Sequence, residues 1–287
     1  GVDPDWVVIA NGASEALWLA FAALGAQGGA LVLPDPGYPE YLSMAGFLQC
    51  PVRTYPVTRD GGAEAILAEA GAMACLVNTP HNPTGAVMPH DTIAGLACAL
   101  EQRGTALIVD EVFHPIYAGA AQPSSAGLRN VITIGDFSKA LSLPGLRTGW
   151  LIDADAARRE RIVGLRGALA ISGSPILEEV AIRALALRDT LLAGTARNVA
   201  RNRELLAQLV ADAPNIEHAI GEGGTVCFPA MRRGSLGLDD WAAFAREEGV
   251  LVAPGAFFGT DRHVRIGLGG PVEEFALAAP RVVARLE

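Results

Sequence analysis

The chain has 287 residues, of which 51% are hydrophobic, and carries a formal net charge of -9. That length supports one large core with a second, smaller one, and the acidic balance excludes a nucleic-acid-binding surface. No apolar run approaches the roughly 20 residues needed to cross a bilayer and no basic, apolar leader is visible, so a cytoplasmic protein without membrane partners is expected.

The first half alternates strand-like and helix-like segments. Trp6 to Ala10 reads as a strand and Ser14 to Leu24 as a helix capped by Ser14. Strands follow at Ala30 to Leu33, Val52 to Val57, Met73 to Val77, Ala106 to Val109, Val131 to Ile134 and Thr148 to Ile152. Helices are predicted at Tyr38 to Leu48 and Asp91 to Arg103. Apolar strands separated by helices predict an α/β fold with a mostly parallel sheet flanked by helices. The Ala/Leu/Arg-rich stretch from Arg158 to Leu209 predicts two long helices broken near Ser172-Gly173-Ser174-Pro175. Beyond Pro214, strands near Thr225 to Phe228, Val250 to Val252 and Val264 to Ile266, with helices at Leu238 to Glu247 and Val272 to Leu286, predict a smaller C-terminal α+β domain. The expected division is 1–190 and 191–287. Cys50, Cys75, Cys98 and Cys227 have no metal-like spacing and read as reduced thiols, three of them in apolar runs.

One feature of composition is informative. Of 22 basic residues, 21 are arginine and one is Lys139. Arginine serves solvation and ion pairing but stays protonated, whereas lysine can lose its proton and attack a carbonyl. A lone lysine is either a leftover on the surface or an amine kept for chemistry.

Its neighbours favour chemistry. In open α/β sheets ligands bind beyond the carboxyl ends of the strands, where most of the unusual clusters fall. Asn11-Gly12-Ala13-Ser14 joins a strand to a helix; small residues and free N–H groups suit an anion, although alone this is an ordinary helix start. Pro34-Asp35-Pro36-Gly37-Tyr38 puts an aromatic ring in a rigid turn. Asn78-Thr79-Pro80-His81-Asn82-Pro83-Thr84-Gly85 fixes a polar loop with Asn82 facing a cleft. Asp110 ends an apolar strand, where an ionised carboxylate needs a cation. Gly135-Asp136-Phe137-Ser138-Lys139 sets the lysine past a strand end, with Arg147 close behind and suited to a phosphate.

The order and spacing of these clusters resemble the class I/II aminotransferases, a family of fold-type I pyridoxal-phosphate enzymes in the aspartate aminotransferase superfamily. The family pattern S-x-S-K-x5-G-x-R-x-G is matched at Ser138, Lys139, Gly145, Arg147 and Gly149. The resemblance covers essentially the whole chain. It implies that Lys139 carries pyridoxal 5'-phosphate as a Schiff base and later moves the α-proton. Asp110 would pair with the pyridine nitrogen, Asn82 with the phenolic oxygen, and Tyr38 would stack on the ring. Ala13, Ser14, Ser138 and Arg147 would hold the phosphate, and Arg265 would grip the substrate carboxylate. Partners would be an amino acid, a 2-oxo acid and a second copy of the chain in a homodimer. A different pyridoxal-phosphate reaction (β-elimination or capreomycidine-type cyclisation), or the cofactor-sensing domain of a transcription regulator, is the alternative.

Three positions depart from the family. Phe113 stands where many members have a tyrosine that donates to the phenolic oxygen, with His114 or another tyrosine as a candidate replacement. Asp136 stands where the pattern has its first serine; beside a phosphate it is expected to point away or to pair with an arginine such as Arg147. The chain begins almost at the phosphate-binding loop, whereas the family carries several tens of residues before it, so it reads as a partial or unusually short member.

Overall fold

A computed structural model describes residues 1–26, 28–69, 71–217 and 221–287. Seven strands form the main sheet: β1 (Val7–Ala10), β2 (Ala30–Asp35), β3 (Val52–Pro56), β4 (Ala72–Asn78), β5 (Ala106–Asp110), β6 (Val131–Asp136) and β7 (Gly149–Asp153). Their spatial order is β1-β7-β6-β5-β4-β2-β3. Only β7 runs against its two neighbours, so the expected mostly parallel sheet is present. Antiparallel β7 lets β1 point the same way as β4, β5 and β6, and all four deliver their carboxyl ends to one edge of the sheet.

The helices that cover the sheet are α1 (Ala13–Gly25), α2 (Pro39–Phe47), α3 (Ala63–Ala68), α4 (His90–Glu101) and α5 (Ala156–Leu169). One face of the sheet packs on α1, whose Leu17, Leu19, Ala20 and Phe21 are essentially fully buried. The other face packs on α3 and α4 through Ile66, Ile93, Leu96 and Leu100. Each such side chain contributes roughly 1.5–3 kcal/mol of burial, an upper figure against a fully extended chain. The short α3 was not visible as a helix because only Ile66 of it is buried.

The stretch expected as two helices after Arg158 forms three: the end of α5, then α6 (Pro175–Ala186) and α7 (Arg188–Ala211). The break at Ser174-Pro175 falls as expected, with Pro175 in the first turn of α6 where its missing N–H costs nothing. A second break lies at Leu187, whose backbone leaves helical geometry with no proline or glycine to announce it. Along α7 the buried Val199, Leu206 and Val210 repeat on one face and meet α9.

The C-terminal part comprises β8 (Ile216–Glu217), β9 (Val226–Cys227), β10 (Ala230–Met231), α8 (Leu238–Glu248), β11 (Ala253–Pro254), β12 (Val264–Gly267) and α9 (Val272–Leu286). A separate cluster holds it together, with Trp241, Phe244, Ile266, Phe275 and Val282 at its centre. The strand expected at Val250 to Val252 forms just beyond that range, at Ala253–Pro254, where the backbone pairs with Arg265 and Val264. All four cysteines are free thiols; Cys75 and Cys227 are buried, while Cys98 is exposed.

Candidate active site

Four strand ends build the site, and they do so with polar residues that interrupt apolar runs. Asn78 ends β4 beside Asp110, which ends β5. Asp136 ends β6 opposite Gly149, which also pairs with Ala10 at the end of β1. Gly149 is required there, because a Cβ would lie 2.6 Å from the backbone of Gly12. Gly12 in turn has φ +84° and sits against the Arg147 guanidinium. The N-terminus of α1 is thus drawn tightly over the end of β6.

Ser14 was expected to cap this helix. Gly12 is the cap instead, with no side-chain bond. The Glu15 carboxylate accepts from the Asn11 N–H in its place, which leaves the Ser14 hydroxyl facing the cavity.

All nine residues singled out from the sequence line one cavity of about 380 Å³: Ala13, Ser14, Tyr38, Asn82, Asp110, Ser138, Lys139, Arg147 and Arg265. A wider groove of about 660 Å³, lined by Arg59, Arg203 and Glu222 among others, holds none of them. Chemistry rather than size picks out the smaller one. It lies in the range typical of small-molecule sites.

Asp110 is the deepest of the charged groups lining the cavity, 3% exposed. The Tyr41 hydroxyl donates to its Oδ2 at 2.5 Å and the Val112 N–H to its Oδ1 at 3.1 Å. Burial pushes its carboxyl up to about 6, against these two hydrogen bonds, and Asp136 and Glu111 push in the same direction as burial. Among the described residues no arginine, lysine or histidine lies at ion-pair distance from it. Tyr41 was not predicted. It lies three residues after Tyr38, one helical turn on, and the two rings meet edge to face at 5.3 Å. Burial raises the Tyr38 hydroxyl to about 12, so it stays protonated.

Asn78, also unpredicted, positions the Asn82 loop. Its Nδ2 donates to the Asp110 carbonyl at 2.9 Å and its Oδ1 accepts from the Asn82 N–H at 2.7 Å. The Asn82 Oδ1 accepts from the Arg265 Nη1 at 2.9 Å. Arg265 also lies over the Phe258 ring, 5.3 Å from its centre. One loop of the large sheet and one strand of the C-terminal part therefore meet across the cavity.

Lys139 is exposed into the cavity mouth. Arg147 has φ +47°, a left-handed backbone costing a non-glycine residue about 1–2 kcal/mol. Among the described residues its guanidinium donates only to carbonyl oxygens, those of Pro144 and Asn11, both at 3.2 Å. Asp136 does not point away and pairs with no arginine among the described residues. Its carboxylate accepts from the Ser138 N–H at 2.9 Å, from the Ser138 hydroxyl at 2.6 Å and from the Ala13 N–H at 3.5 Å. The loss of a tyrosine at Phe113 is not made good by His114, whose Nδ1 is engaged with the Tyr117 hydroxyl at 3.0 Å. Phe113 itself is buried at the cavity wall.

The residues fit a flat, anionic cofactor. A buried carboxylate lacking a cation stands at the floor, an uncompensated arginine and a helix N-terminus stand at one end, and the chain's one lysine stands between.

The model of aminotransferases of class I and II matches residues 2–282. The chain is 33% identical over 298 residues to a valine–pyruvate aminotransferase of Mycobacterium tuberculosis, covering 98% of this chain and 76% of the relative. It is 30% identical over 279 residues to a capreomycidine synthase of Streptomyces vinaceus, covering 93% and 71%. The crystal structure of an aminotransferase from M. tuberculosis superposes with a TM-score of 0.88 at 29% identity, over 99% of this chain and 77% of that one.

Proposed function

Because the chain belongs to the family of class I and II aminotransferases, pyridoxal-phosphate enzymes that move an amino group between an amino acid and a 2-oxo acid, we infer how its own residues divide that work. The cofactor supplies an aldehyde to capture the amino group and a protonated ring to take up the electrons of the breaking Cα–H bond. Lys139 is the catalytic residue. Its Nζ would hold the cofactor and, once free of it, would move the proton at the substrate Cα. Asp110 holds the ring nitrogen protonated. The uncompensated burial of its carboxylate is what a missing cationic partner would relieve. Tyr38 would stack on the ring and Asn82 would donate to the phenolic oxygen. Ala13, Ser14, Ser138 and Arg147 would hold the phosphate, and Arg265 would bind the substrate carboxylate as a fork.

The observation that carries this reading is the convergence of the single lysine, the buried Asp110 and the uncompensated Arg147 on one cavity. The test is a half-reaction. The chain loaded with pyridoxal phosphate should lose its visible absorbance on addition of an amino acid substrate and regain it with a 2-oxo acid. Lys139→Ala should do neither and should not be trapped by borohydride; covalent trapping in that variant, or release of ammonia instead of amino exchange in the parent chain, would overturn the assignment.

We also propose a cytoplasmic homodimer without nucleic-acid or membrane partners, divided into a cofactor domain (1–190) and a C-terminal domain (191–287). No helix among the described residues is long and apolar enough to cross a membrane. Support for the dimer is the exposed apolar side of α6 at Ile182 and Leu185, each more than half exposed and lining an apolar groove of about 450 Å³.

A further inference from the structure

The corner of the cavity where β6 meets α1 contains a carboxylate that the phosphate reading does not use. Asp136 is buried at 8% exposure. Three donors converge on it: the Ser138 hydroxyl, the Ser138 N–H and the Ala13 N–H. All three belong to residues read above as phosphate ligands, Ser138 and Ala13. A serine hydroxyl has one proton, and at 2.6 Å from Asp136 Oδ2 that proton is engaged. The oxygen facing outward then offers lone pairs, which an anion repels. The Ala13 N–H, the first of the helix's free donors, leans toward the same carboxylate. Left open to an anion in this corner are Ser14, Arg147 and the next N–H groups of α1.

We propose that Asp136 is a positioning residue that ties the end of β6 to the N-terminus of α1 at the cost of phosphate affinity: it engages the Ser138 donors, so that among the phosphate ligands named above Arg147 and the helix end would supply most of the grip and Ser138 little. The inference rests on the cofactor site described above and concerns how tightly that site grips one part of its ligand. The charged groups that share the cavity are Lys139, Arg147 and Arg265 on one side and Asp110 and Asp136 on the other. Removing the charge of Asp136 leaves the cations less opposed where a dianion binds, and frees the Ser138 donors to turn toward it. Like charges a few ångströms apart in a half-buried site repel strongly.

The comparison that isolates this effect is pyridoxal phosphate against pyridoxal, which lacks the phosphate. Dissociation constants of both are measured by absorbance and fluorescence titration of the parent chain, of Asp136→Ser and of Asp136→Asn, with melting temperatures recorded alongside. Asp136→Ser should bind pyridoxal phosphate at least about tenfold more tightly while its affinity for pyridoxal stays within about twofold. Inorganic phosphate should compete more effectively in the variant. Asp136→Asn keeps the shape and its oxygen acceptor, so it reports on charge alone if the serine variant folds poorly; it should shift the ratio of the two affinities in the same direction. An equal change for both ligands in both variants, or a fall in phosphate preference, would show that Asp136 serves the phosphate or the fold only, and overturns the proposal. Borohydride trapping at Lys139 in the parent chain reports on the cofactor site itself, independently of that ratio.

Discussion

Two buried carboxylates end strands at opposite edges of the same sheet, and their surroundings differ in one respect. Asp153, at the end of antiparallel β7, is fully buried and is clasped by Arg158, whose Nε and Nη2 lie 2.6 and 2.7 Å from its two oxygens. The Asp155 N–H adds a third bond at 2.9 Å. Asp110, at the end of parallel β5, is almost as buried but has a phenol and one backbone N–H as its partners. A carboxylate with its cation supplied by the chain belongs to the fold. Asp110, buried with one phenol and one backbone N–H and no cation among the described residues, suits the cationic ligand proposed above, and it lies on the edge where parallel strands leave their carboxyl ends.

The comparison is broken or sharpened by removing one side of each pair. Arg158→Met has the largest expected effect, about 3–5 kcal/mol of stability lost, because it strands Asp153 ionised and buried. Denaturant unfolding measures it, and the cofactor absorbance of the folded fraction should be unchanged. Asp110→Asn should reverse the pattern. It keeps the Tyr41 hydrogen bond, removes an unfavourably buried charge and should leave the empty chain as stable as before or more so at pH 8. Amino transfer should fall about 10²–10³-fold in kcat, as when one preorganised electrostatic partner is lost. If Asp110→Asn instead destabilised the chain as much as Arg158→Met, Asp110 would be a structural group and the contrast would fail.

Much of this contrast was legible before any fold was drawn. Lys139 stood out as the one lysine, and Asp110 stood out because an acid closing Ala106-Leu107-Ile108-Val109 has no local reason to be there. The strands of the main sheet were placed to within a residue or two because their apolar runs are bounded by prolines, glycines and polar loops. What escaped notice depends on contacts across the chain. Tyr41 lies 69 residues from the carboxylate it serves, and only the packing of α2 against α1 and β2 brings them together. Asn78 was read as part of a turn, since its two bonds are made to backbone that the sequence does not place nearby. The acceptor role of Asp136 was missed for a related reason: an acid beside a basic residue suggests an ion pair, while the donors it meets are backbone and hydroxyl. The break at Leu187 has no turn-forming residue to announce it.

Tyr41 supplies the smallest and most diagnostic test. Burial raises the Asp110 carboxyl from an ordinary 3.8 to about 6, and the Tyr41 hydrogen bond opposes that rise. In the empty chain, a carboxyl raised on folding contributes stability that is complete below pH 3.8 and lost as pH climbs through about 6. Cofactor binding runs the other way, because the ring cation pairs with ionised Asp110; affinity should therefore rise as pH increases through about 6. Tyr41→Phe removes the opposing hydrogen bond, about 1 kcal/mol or somewhat more for a bond to a charged acceptor. The midpoint of the affinity profile should move to higher pH. Binding should fall several-fold near pH 6.5 and stay close to the parent value at pH 8.5, where Asp110 is ionised in both. The same substitution in an Asp110→Asn background should move no midpoint. A Tyr41→Phe chain that loses affinity equally at every pH would make Tyr41 a packing residue, and Asp110 would then owe its readiness for a cation to burial alone.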